Sequence, residues 1–190
     1  MWYIVFRLMV NNRKKRQKAT TTRTVRLSEY LDDLLEKDSE DKRISINSLV
    51  TSIITRYAEW DRYTEKIGFI SLPREVLKLM IDSIDDEKIR QLAEAFGSRH
   101  AEEYMMFWFK RMNPDTFLDQ LALFCRYAGL ARYEIETEGR DYIIVLHHEL
   151  GRKWSIFLSH IIVQVMKNTA KIIPNFDITE YSVIFRFFIP

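Results

Sequence analysis

Apolar and polar positions alternate once, early in the chain, and then settle into helical spacing. In Thr20-Thr21-Thr22-Arg23-Thr24-Val25-Arg26-Leu27-Ser28, Val25 and Leu27 fall on one face of an extended strand. Thr22, Thr24 and Arg26 fall on the other. From Ser28, a good N-cap, Leu31, Leu34 and Leu35 make an apolar stripe, with Asp32, Asp33, Glu36 and Lys37 facing out. The wholly polar run Asp38 to Arg43 ends that helix. Ser45 caps a second helix, along which Leu49, Val50, Ile53, Ile54, Tyr57 and Trp60 recur at helical spacing. A strand this short needs a partner, and no second strand follows within hairpin distance.

Beyond Trp60 a polar stretch allows the second helix to run on. Ile67 to Pro73 reads as a short extended piece leading into a helix with Val76, Leu77, Met80, Ile81 and Ile84 as its stripe. Asp85-Asp86-Glu87 is an acidic helix start, and Gly97-Ser98 reads as a kink or break in that helix. Asn113-Pro114-Asp115 opens another helix that ends near Gly129. Then the period changes. Arg132 to Glu138 alternates, Gly139-Arg140-Asp141 is a turn, and Tyr142 to His148 is a more buried strand. Leu150 to Lys167 is apolar nearly all round, which predicts a helix buried in the core or at a subunit interface. Thr179 to Ile189 is a last strand. Helices followed by β-β-α-β predict an α+β fold with a small, mostly antiparallel sheet.

Charge sharpens this picture. The chain of 190 residues is 47% apolar, enough for a real core, with formal charge +2. From Asn11 to Arg26 there are seven basic residues (Arg13, Lys14, Lys15, Arg16, Lys18, Arg23, Arg26) and no acid. With Arg7 they leave the remainder at −6. Such a split points to an anionic partner for the N-terminus alone. The apolar run within Met1 to Val10 is too short to span a bilayer, and its charges follow it rather than precede it. The single cysteine, Cys125, excludes an intrachain disulfide and suits a reducing cytoplasm.

Thr24-Val25-Arg26-Leu27-Ser28, the Leu31/Leu34/Leu35 stripe, and Ile44-Ser45-Ile46-Asn47-Ser48-Leu49-Val50 follow one another in a particular order. That order resembles the ribbon-helix-helix family of DNA-binding proteins, the Arc and MetJ type, over residues 21–60. The family often has a glycine before the cap of its second helix; here the loop Lys42-Arg43-Ile44 has none. The resemblance implies that a second copy supplies the missing strand. An intertwined homodimer then carries a two-stranded ribbon into the major groove. It implies base contacts from Thr22, Thr24 and Arg26. It implies phosphate contacts from Arg23 and from Ser45, Asn47 and Ser48 at the second helix start. The arm residues Arg13, Lys14, Lys15, Arg16 and Lys18 are expected to add salt-dependent affinity.

The expected organisation is a basic arm at 1–20, the DNA-binding module at 21–62, and an α+β domain at 63–190 for effector sensing or oligomerisation. The expected function is a sequence-specific transcriptional regulator on double-stranded DNA, cytoplasmic and nucleoid-associated, with higher oligomers on DNA left open. The alternatives are an antitoxin of the same DNA-binding fold, which the long apolar C-terminal part argues against, and a nonspecific architectural protein. No enzyme chemistry, cofactor, metal or membrane contact is expected, and any small-molecule or protein effector is unidentified. His147-His148-Glu149 is the sharpest alternative, with His160 able to approach one of the pair. Adjacent strand residues point to opposite faces, so one ion cannot easily take both histidines. The Tyr104, Phe107, Trp108, Phe109 cluster reads as core or dimer interface rather than a ligand pocket.

Overall fold

A computed structural model describes residues 21–190. The basic arm and the apolar first ten residues lie outside the described residues. The boundary between two compact units falls after Gly68.

In the first unit, residues 21–28 form neither helix nor strand, and Ser28 at their end is extended. Helix α1 (Glu29–Asp41) follows Ser28. Its end is a Schellman turn: the Arg43 amide donates to Glu40 O (2.9 Å) and the Ile44 amide to Ser39 O (3.0 Å). Arg43 takes the left-handed angle, φ 52°, in the loop that lacks a glycine. Helix α2 (Ile46–Arg56) is capped by Ser45, whose hydroxyl accepts from the Ser48 amide. It widens into a π-turn (Tyr57–Asp61) and continues as α3 (Arg62–Ile67), so the polar stretch after Trp60 does prolong the helix. Gly68, at φ 73°, stops it in a conformation that other residues resist.

The second unit is α+β. Helices α4 (Arg74–Asp82), α5 (Asp86–Arg99), α6 (Ala101–Phe109) and α7 (Pro114–Tyr127) come first. Asp85 caps α5 through the Lys88 amide. A full capping box, Asn113 with Thr116, opens α7, with Pro114 in its first turn. Strands β1 (Arg132–Glu138) and β2 (Asp141–His147) form the expected hairpin. Helix α8 (Arg152–Thr169) is followed by β3 (Asn175–Ile178) and β4 (Ser182–Phe188). The sheet is antiparallel throughout, in the order β1-β2-β4-β3. One face buries Ile135, Ile144, Leu146, Val183, Phe185 and Phe187; α8 buries Trp154, Ile156, Leu158, Ile162 and Met166. The outer face of edge strand β1 is solvated, with Glu134, Glu136 and Glu138 all exposed.

Two expectations are corrected. Strand β3 is additional, so the order is β-β-α-β-β. Gly97-Ser98 neither kinks nor breaks α5, which runs on to Arg99. The glycine serves close packing instead: a Cβ there would stand 3.0 Å from Gln164 Cβ and 3.1 Å from Ile161 O of α8.

Candidate nucleic-acid interface

Thr22, Arg23, Thr24 and Arg26 all sit in the irregular segment before α1 and all are exposed. Val25 and Leu27, expected to be held down by the helices, are 73% and 45% exposed. The physical reason is local. An isolated strand has no ladder, so its two faces are not yet distinguished by what covers them.

The same holds along the helices. Tyr30, Leu31 and Leu34 of α1, then Ile44, Ile46, Ile53, Ile54 and Tyr57, are exposed in the single chain. Among the apolar side chains of residues 21–68, Leu49 and Trp60 are the buried ones. The stripes predicted from spacing are present, and apart from Leu49 and Trp60, with Leu35 and Val50 half-buried, their members stand exposed.

At the start of α2, Ser45 Oγ accepts from the Ser48 amide at 3.1 Å and shares a 2.8 Å hydrogen bond with Ser48 Oγ. The cap satisfies one first-turn amide. Those of Ile46 and Asn47 precede any intrahelical partner, at the positive end of the helix dipole. Ser45, Asn47 and Ser48 are exposed, so an anion has access to them. Arg13, Lys14, Lys15, Arg16 and Lys18 lie outside the described residues.

The second unit holds a half-open cavity of about 200 Å³ lined by Arg74, Cys125, Arg132, His147, His148 and Glu149 among others. Sequence spacing drew attention to the histidines but not to the helix residues that complete the lining. Arg74 is ion-paired with Glu149. Burial pushes the Cys125 thiol up to about 12, so it stays protonated and is a poor nucleophile. His148 Nε2 lies 2.8 Å from Ser155 Oγ, which resembles a catalytic dyad but works differently. Ser155 is fully buried, and its hydroxyl donates to Thr179 O at 2.7 Å. With that proton committed, Nε2–H must be the donor to Ser155, and Nδ1 accepts from the Leu150 amide (3.3 Å). Both ring nitrogens are used with the ring neutral. Burial, with the neighbouring His147, lowers the His148 pKa to about 4. The network ties the end of β2 and the start of α8 to the segment before β4.

His160 does not approach His147 or His148; Nδ1 meets Glu94 Oε1 of α5 at 3.0 Å. Among the described residues no group of three or more His, Cys, Asp or Glu side chains is placed to share a metal ion, and no helix is long and apolar enough to cross a membrane. Tyr104 and Trp108 join Phe69, Phe96, Phe107 and Phe124 in a network of tilted and edge-on rings. Comparison of the chain with protein-family models and with curated proteins finds no match.

Proposed function

We propose that the chain is a DNA-binding regulator. In this reading two copies pair their 22–27 segments into an antiparallel ribbon that enters the major groove. One observation carries it: ten large apolar side chains between Val25 and Tyr57 stand exposed in a single copy, against two buried ones in that unit. A module so composed cannot offset its chain entropy alone and calls for an apolar partner. A second copy supplies both the missing strand and the covering for α1 and α2.

Pairing gives the alternation its meaning. Val25 and Leu27 turn to the helices, and Thr22, Thr24 and Arg26 of both copies are presented to base edges. Arg23, Ser45, Asn47 and Ser48 set the register on phosphates. The basic arm adds affinity that falls with salt. The second unit, with its own core and cavity, is the regulatory or oligomerising part.

Selection of DNA by the purified chain, followed by salt titration, tests the reading. A selected palindromic or tandem site is the expected outcome. Steep salt dependence with no selected site supports the architectural alternative instead. A folded, stable monomer on gel filtration removes the ribbon altogether.

A further inference from the structure

Exposed large apolar side chains are unevenly spread. Among the described residues, sixteen lie between Val25 and Met80 and nine in the 110 residues that follow. Six of the sixteen fall after Gly68: Phe69, Ile70, Leu72, Val76, Leu79 and Met80. They belong to the second unit, outside the module proposed to pair on DNA.

Helix α4 shows how this arises. Its inward stripe is Leu77, Ile81 and Ile84 at i, i+4 and i+7, with Ile81 buried. Val76, Leu79 and Met80 form a second stripe at i, i+3 and i+4, rotated away from the first. It is 41%, 72% and 53% exposed at these positions. Ile70 and Leu72, 78% and 47% exposed, precede it. Arg74, Lys78 and Asp82 hold the remaining side of the helix, Arg74 paired with Glu149 and Lys78 with Asp82 along the helix itself. The second stripe is apolar along its length, with exposed Glu75 flanking it at the N-terminal end, one turn before Leu79.

We propose that this face is a second twofold contact between copies of the chain, α4 against α4 of the partner. It rests on the paired module described above. Only residues 69–73 separate Gly68 from α4, a tether of at most about 18 Å even when fully extended. Two copies held together by the module thus keep their α4 helices at high local concentration. A twofold contact also sets the same apolar stripe against itself, needing neither a complementary charge nor a different surface. Exposed apolar positions continue in sequence from the module through Phe69, Ile70 and Leu72 into α4.

Sedimentation equilibrium on the full chain tests this, with Leu79→Glu/Met80→Glu compared with the parent and with Lys88→Glu as a control on α5. The paired variant is expected to raise the dimer dissociation constant by about 10-fold or more, because it removes well-placed apolar surface from the interface. The control is expected to match the parent. Leu79→Met/Met80→Leu, which keeps volume and polarity, is expected to restore parent behaviour. Oxidation of a Cys125→Ser/Leu79→Cys chain, which needs no charge inside the interface, is expected to trap a disulfide-linked dimer. A dimeric parent with an unchanged constant in the glutamate variant, and no disulfide-linked dimer from the Leu79→Cys chain, overturns this contact and leaves the paired module standing. A monomeric parent overturns both.

Discussion

Arg43 stands at a backbone angle that side chains with a Cβ disfavour. The Schellman turn needs a left-handed residue there, and the chain places an arginine where a glycine would be relaxed. Arg43→Gly is therefore expected to stabilise the first unit by about 0.5–1 kcal/mol, the relief of strain less the added chain entropy. Urea denaturation compares the two. His148 makes a different prediction. Its ring is neutral when folded, with a pKa of about 4, against an ordinary 6.5 when unfolded. Between those values the unfolded chain takes up a proton that the folded chain refuses. The contribution is thus whole above about pH 6.5 and is lost as pH falls towards 4, amounting to roughly 3 kcal/mol. Stability of the second unit measured from about pH 7 down to about pH 4.5 should show this slope, and His148→Gln should flatten it. No change in slope would mean that the imidazole accepts a proton in place.

At the scale of elements, α5 and α8 pack extensively against each other, and Gly97 gives the backbone of α8 room where they meet. Gly97→Ala favours the helix intrinsically, yet its methyl group would press on Gln164 and the Ile161 carbonyl. A net loss of about 1–3 kcal/mol in thermal or chemical unfolding is expected. The same glycine shows how far pattern carries. Glycine within a helical run reads as a breaker because close approach between distant segments leaves no local trace. The hairpin was legible because β1 alternates over seven residues, a glycine turn follows it, and β2 is a short β-branched apolar run. Asn175–Ile178 was not, since four residues offer only Phe176 and Ile178 as apolar members. In α4 the spacing showed an apolar helix but merged two stripes, Leu77/Ile81/Ile84 and Val76/Met80, that point to different surroundings.

For the whole molecule, the division after Gly68 separates a unit with an extensive core from one whose described residues bury only Leu49 and Trp60 among their apolar side chains. The proposed DNA-reading residues were legible only as a parity along the chain, because among the described residues no strand pairs with residues 22–27 to separate Arg26 from Val25. Arg26→Ala is expected to cost about 1–3 kcal/mol of discrimination at each half-site while leaving the assembly state intact. Binding to selected and scrambled duplexes measures the difference. The same proposal makes the protein sensitive to dilution, since most apolar positions of α1 and α2 stand exposed. Under the proposed pairing the first unit obeys mass action, so its melting point should climb with chain concentration. The second unit, whose core is internal, should melt at a temperature set far less by concentration. A melt of two steps, the first moving to lower temperature on dilution, would separate the part of the chain that folds alone from the part that folds in company.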